Sequence, residues 1–116
     1  MLTLKTFEAL PAGLLEADAT ALEALLGGPS LIHLPGRRPE PLFLTVLLHG
    51  NETTGFEAVK AVLRRWQGRE LPRALSLFIG NVAAARAGLR RLPGQPDYNR
   101  VWPGTETPGL PEAMLM

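Results

Sequence analysis

His49 and Glu52 stand three residues apart in the run Leu47-Leu48-His49-Gly50-Asn51-Glu52-Thr53-Thr54-Gly55, directly after a long apolar stretch. A neutral imidazole and an anionic carboxylate are both good ligands for a borderline-soft divalent ion, and such a pair often supplies two ligands of a catalytic zinc. That kind of centre takes a third protein ligand and leaves the fourth position to water. No convincing third ligand is evident in the sequence. His33 is the other histidine, in a short predicted strand before a Pro-Gly loop, where a hydrogen-bonded structural role or simple exposure is the expectation. A loop histidine followed by a glutamate favoured by the helix dipole would show the same spacing. The position of the pair at a strand-to-helix corner brings metal ligation level with that reading.

A second constellation runs from Asn81 to Arg100. An apolar strand, then Gly80-Asn81, then a small-residue helix repeat the topology of the first corner, and Arg90, Asn99 and Arg100 follow. Arginine forks bind carboxylates bidentately, and an amide adds a directional hydrogen bond. The set suits an anionic small substrate; the alternative is that Arg90, Arg91 and Arg100 are solvated surface charges. Asp97 is expected to fix Arg100 or the loop backbone, as Asp does in turns, with a role as base the alternative. The loop Gly50 to Gly55 opens a helix and could cradle a phosphate, but it lacks the lysine and spacing of a P-loop.

The elements that must position these residues are legible as periodicity and punctuation. Residues 1–17 are weakly patterned and broken by Pro11-Ala12-Gly13. Thr20 and Glu23 have the spacing of a capping box, predicting a helix from about Ala21 to Leu26 that buries Leu22, Leu25 and Leu26 and stops at Gly27-Gly28-Pro29. Ser30 to Leu34 reads as a short strand and Pro35 to Pro41 as a loop. Leu42 to Leu48 is nearly continuous apolar, as expected of a strand covered on both faces. Thr54 and Glu57 form a second capping box, and Phe56, Val59, Val62, Leu63 and Trp66 share one helical face. Lys60, Arg64, Arg65 and Gln67 fall on the other side, and Gly68 ends the helix. Ala74 to Ile79 is a second apolar strand, and Asn81 caps a short helix over Val82 to Ala87. Strand, helix, strand, helix implies an α/β layered fold whose two apolar strands lie parallel across a crossover. Trp66 is read as core and Trp102 as packing or a pocket wall.

Bulk properties narrow the function classes. One domain fits in 116 residues, and a hydrophobic fraction of 46% supports a core. A formal net charge of +1 without a clustered basic face argues against a nucleic-acid partner. The absence of cysteine excludes disulfides and Cys-based zinc sites. No apolar run approaches the roughly 20 residues of a spanning helix, and no signal peptide is visible at the N-terminus. Neither a membrane nor a nucleic acid is therefore expected as a partner, and the cytoplasm is the simpler location.

The motifs taken together resemble the succinylglutamate desuccinylase and aspartoacylase family, within the zinc carboxypeptidase-like enzymes. His49-Gly50-Asn51-Glu52-Thr53 looks like its zinc motif, Gly80-Asn81-Val82-Ala83 its Asn-Pro-x-Ala segment, and Asp97-Tyr98-Asn99-Arg100-Val101-Trp102-Pro103-Gly104 its Asp-Leu-Asn-Arg-x-Phe-x-Gly run. Arg90 stands where that family has a substrate-binding arginine. The resemblance covers about Leu42 to Gly104. It implies a partial zinc-carboxypeptidase-like layered α/β fold, with a mostly parallel or mixed sheet flanked by helices. It implies Zn2+ on His49 and Glu52, with Arg90, Asn99 and Arg100 holding a small anionic N-acyl amino acid and orienting its amide; Arg90 is the expected catalytic residue. The expected activity is hydrolysis of that amide.

Val82 replaces the usual proline, Arg91 the usual tyrosine, and Leu92 to Pro96 lengthen the link to Asp97; these departures bear on substrate identity. The family's third zinc ligand, a histidine, and its general-base glutamate have no match, and Glu106 and Glu112 lie in a different context. The chain accordingly reads as a single unit, residues 1–116, forming the N-terminal part of a larger hydrolase domain and inactive alone. The rivals are a non-catalytic α/β carboxylate-binding or interaction module, and a site completed by another copy, since open sheet edges promote pairing into a homo-oligomer.

Overall fold

A computed structural model of the chain describes residues 4–100. The described part is a mixed α/β unit built on a four-stranded sheet. The strands are β1 (Lys5–Phe7), β2 (Ser30–Leu34), β3 (Gly36–Val46) and β4 (Leu71–Ile79), in the order β1-β2-β4-β3. The helices are α1 (Leu22–Leu26), α2 (Thr54–Arg65) and α3 (Val82–Ala87). The crossover through α2 sets β3 parallel to β4, β2 runs antiparallel to β4, and β1 is parallel to β2. This mixed sheet is compatible with a partial zinc-carboxypeptidase-like fold, as the motifs imply.

Strand alternation divides the core. Ile32, Val46, Leu77 and Ile79 face the helices and pack with Leu22 and Leu26 of α1, Phe56 of α2, and Val82 and Ala85 of α3. Leu31 and Phe78 point the other way and pack with Tyr98, from the segment after α3. The described helices thus cover one face of the sheet, and the site-bearing loop closes over part of the other.

Several local expectations give way. Pro35 to Pro41 is not a loop, because β3 begins at Gly36 and runs through Pro39 and Pro41. A proline removes a ladder donor, which an edge strand tolerates, and the ladder shifts register between Arg38 and Leu42. As an edge strand, β3 is not covered throughout: Leu42 and Phe43 are each 53% exposed. The strand also stops at Val46 instead of Leu48. Neither capping box forms. Thr53 rather than Thr54 precedes α2 and makes no side-chain cap. Asp18, not Thr20, caps the 3-10 turn Ala19–Ala21 that leads into α1, accepting from the Thr20 N–H. β1, in the weakly patterned segment, was not expected.

Lys60 also leaves the solvent face assigned to it. It is buried, and its Nζ donates to the Ala17 carbonyl at 2.6 Å, pairs with Glu57 at 2.7 Å and lies over the Phe56 ring at 4.6 Å. Arg64 likewise donates to the Leu15 carbonyl. Both cations satisfy carbonyls of the 3-10 turn Leu14–Glu16 and its C-cap Ala17, beside which α2 packs, so they hold structure and are not simply solvated.

The corner after β3 is tightly specified. Leu47 takes a left-handed φ of +57°, a conformation costing a non-glycine residue roughly 1–2 kcal/mol. Its carbonyl accepts from the Asn81 N–H at 2.7 Å, and the Gly80 N–H reaches the Val46 carbonyl at 3.1 Å. These bonds weld the ends of β3 and β4 together and turn the chain toward His49. Gly50 then packs directly on α3. A Cβ there would lie 2.4 Å from Ala84 C and Ala85 N and 2.6 Å from the Leu89 carbonyl oxygen. Close approach, not a positive φ, is why glycine is needed.

Gly50→Ala is therefore expected to cost roughly 2–3 kcal/mol through overpacking against backbone. Gly55→Ala, whose new methyl would meet only Val46 Cγ1 at 3.5 Å, should be neutral or stabilise α2 by up to about 1 kcal/mol. Urea midpoints compare the two; equal midpoints would contradict the packing of the corner.

Candidate metal and carboxylate site

Two strand ends supply the site. The corner after β3 carries His49 and Glu52, and the segment after β4 and α3 carries Arg90, Asp97, Asn99 and Arg100. His49 is 8% exposed. Its Nδ1 faces Glu52 Oε1 in close contact, and its Nε2–H donates to Asp97 Oδ1 at 2.9 Å. Both ring nitrogens thus face carboxylate oxygens, and a cation taking the place of the Nδ1 proton would be met by Nδ1 and Glu52 while Asp97 keeps the Nε2–H.

A cleft of about 540 Å³ opens here, lined by β3 residues Thr45 and Val46, the corner residues His49, Asn51 and Glu52, the start of α2, and Asn99. The Glu52 side chain is largely exposed in it.

The second segment is anchored at two points. Asn81, buried at the start of α3, accepts from the Ala84 N–H at 3.1 Å and donates through Nδ2 to Gln95 Oε1 at 2.9 Å. Gln95 Oε1 also accepts from the Leu92 N–H at 2.8 Å, so the long link before Asp97 is tied to the helix cap. Tyr98, 2% exposed, is the second anchor, inserted against Leu31 and Phe78; burial pushes its hydroxyl up to about 12. Between these anchors Asp97 is delivered to His49.

Asp97 is the hub. It is 7% exposed. Oδ1 accepts from His49 and from the Asn99 N–H, both at 2.9 Å, while Oδ2 accepts from Arg90 Nη2 at 3.3 Å and pairs with Arg100 Nε at 3.6 Å. Burial alone would raise its carboxyl. The hydrogen bonds from the Asn99 N–H, His49 and Arg90, together with the charge of His49, outweigh burial and hold it at about 2.

The candidate residues thus gather in two sets. His49, Glu52 and Asn99 meet at the cleft, whereas Arg90 and Arg100 lie outside its lining and are drawn to Asp97, with side chains 56% and 68% exposed. His33 does not join them. Its Nδ1 bonds Ser76 Oγ at 2.9 Å, three register rows back from the Ser30–Ile79 pair at the site end of the sheet, about 10 Å at strand spacing. Trp102 lies outside the described residues. The contacts from Asp97 to His49 and Arg90 were missed. The available signal was chemical: an imidazole that binds metal usually hands its second nitrogen to a carboxylate or carbonyl, and Asp97 heads the second motif.

The donor set fits a zinc ion as far as it goes. An imidazole nitrogen and a carboxylate oxygen face one another, and the imidazole is braced from behind by Asp97. Among the described residues no group of three potential metal-ligating side chains occurs.

The described residues thus form a mixed α/β sheet with an imidazole–carboxylate corner at one strand end and arginines on the next loop. The model of the succinylglutamate desuccinylase/aspartoacylase catalytic domain matches residues 40–113, well over half of the chain, and the chain belongs to that family. Comparison with curated proteins and with solved structures gives no significant match. No described helix is long and apolar enough to cross a membrane.

The low value of Asp97 has a signed consequence. Its folded-state pKa of about 2 lies below the ordinary 3.8. The unfolded chain therefore binds this proton more readily, and the stabilisation is full above about pH 4 and lost as the pH falls toward 2. Asp97→Asn should flatten the acid decline in that window when stability is followed by urea unfolding. A variant with the wild-type acid slope would contradict the pairing.

Proposed function

We propose that this chain carries part of the site of a zinc-dependent amidohydrolase acting on N-acyl amino acids, such as succinyl- or acetyl-amino acids, and that it forms the N-terminal portion of that catalytic domain. The observation supporting this most directly is the His49 Nδ1–Glu52 Oε1 corner, with His49 Nε2 held by Asp97. Family membership supports a deacylase-type catalytic domain.

In this reading His49 and Glu52 hold the zinc. When bound, zinc supplies a water of lowered pKa and polarises a carbonyl. Asn99, at the cleft, offers an amide to the acyl or carboxylate oxygen. Arg90 and Arg100 offer guanidinium forks to the substrate carboxylate, and Arg90 steadies charge developing on the scissile amide. Hydrolysis breaks the amide C–N bond, leaving the hydroxyl on the acyl carbon and the hydrogen on the amine nitrogen. The products are a carboxylic acid and a free amino acid.

The second reading is a carboxylate-binding α/β module without catalysis. What favours it is that among the described residues no group of three potential metal-ligating side chains occurs.

Zinc content after equilibration and desalting separates the two. About one zinc per chain, lost in His49→Ala, is expected if the site is completed; no retained zinc favours the module, or an activity that needs a longer parent. In the parent enzyme, Glu52→Ala should lower zinc affinity by more than the roughly 10–100-fold expected when a bracing residue such as Asp97 is changed. Arg90→Ala should weaken substrate binding by roughly 10–100-fold, the worth of a charged hydrogen bond. Zinc competition titrations and steady-state hydrolysis of N-acyl amino acids measure these, and activity indifferent to chelators would count heavily against the proposal.

A further inference from the structure

Asp97 divides its two oxygens between two different jobs. Oδ1 holds the imidazole of His49, and Oδ2 holds the guanidinium groups of Arg90 and Arg100. Among the described residues, Asp97 is the acidic partner of both arginines. An internal carboxylate therefore sits where an external one is expected to bind, and its other oxygen touches the metal-site imidazole.

We infer that Asp97 is a positioning residue that couples carboxylate recognition to the imidazole corner. When a ligand carboxylate takes Arg90 and Arg100, Oδ2 is released, and the Asp97 charge concentrates on its remaining bonds, strengthening Oδ1 as the acceptor of the His49 Nε2–H. This inference rests on the reading of the arginines as carboxylate binders and adds to it a linkage between the two halves of the site.

The physics follows from charge sharing. A carboxylate that serves two guanidinium groups is a weaker acceptor for a third donor than one relieved of them. The arginines are more than half exposed and can be captured at little cost in desolvation, whereas Asp97 and His49 are buried and stay in register. A stronger bond to Nε2–H makes the ring a better electron-pair donor to a metal at Nδ1, the nitrogen directed at Glu52. Metal and carboxylate should then bind with positive coupling, and the coupling must be reciprocal.

The chain contains two histidines, which makes the test direct and free of metal. Metal-free protein with 15N-labelled histidine and arginine side chains is titrated with N-acetylglycine, and with neutral N-acetylglycinamide as control. The acid should perturb the arginine Nε–H signals and move the His49 Nε2–H proton downfield. His33, bonded to Ser76 on the sheet, should not respond, and the amide should do neither. Direct coordination of the probe to zinc cannot produce this response, since no zinc is present. Asp97→Asn should abolish the His49 response while the arginines still respond. Should that variant not fold, the wild-type titration decides alone. In wild-type protein that retains zinc, saturating N-acetylglycine should tighten zinc binding by about fivefold, the lower end of ordinary coupling.

Arginine signals that move while His49 stays still would overturn the linkage and leave carboxylate recognition standing. If neither responds, carboxylate recognition by these arginines fails, and the linkage fails with it.

Discussion

The parallel ladder between β3 and β4 carries the site. Val46 pairs with Ile79 at its end, and beyond that row the Gly80 and Asn81 N–H groups reach back to the Val46 and Leu47 carbonyls. Those bonds keep two chain segments together after the sheet has stopped. One turns into the His49 corner, and the other into α3 and the loop that brings Asp97. A left-handed Leu47 and a glycine pressed onto α3 are the local costs of the arrangement. Residues in such conformations persist where their surroundings over-determine them.

The electrostatics are organised around a buried anion. Asp97 is taken out of water, which opposes its charge, and is given a backbone N–H, an imidazole and two guanidinium groups in return. Tyr98, next in sequence, is driven into the opposite sheet face by apolar burial and cannot withdraw without uncovering Leu31 and Phe78. Packing thus delivers the carboxylate, and hydrogen bonds keep it ionised. The same residue braces one prospective metal ligand and occupies both prospective substrate arginines.

Much of the framework was legible one segment at a time. Ser30–Leu34 and Val82–Ala87 have the bounds expected of them, because flanking Gly and Pro breaks and an Asn cap are local signals. The helix of residues 54–65 was visible in its apolar spacing, although its capping box does not form. Misreadings occurred where distant groups intervene. Prolines at 39 and 41 look like a loop unless the strand is known to be an edge. Lys60 looks like a solvent-facing residue unless the Ala17 carbonyl is known to lie beneath it.

For the site the division is sharper. The sequence by itself determined which side chains have the chemistry: the His49–Glu52 spacing is written in four consecutive residues, and the ordered motifs place the chain in its family. Only the tertiary structure decided which of them meet. Asp97 lies 48 positions from His49 and 7 from Arg90, and no periodicity links such separations. Their contact depends on two strand ends held side by side, an aromatic anchor inserted in the far face of the sheet, and a buried charge that must be answered by whatever donors the fold brings within reach. His33 has the same imidazole and is excluded for the same kind of reason, because its strand register places it three rows away and against Ser76.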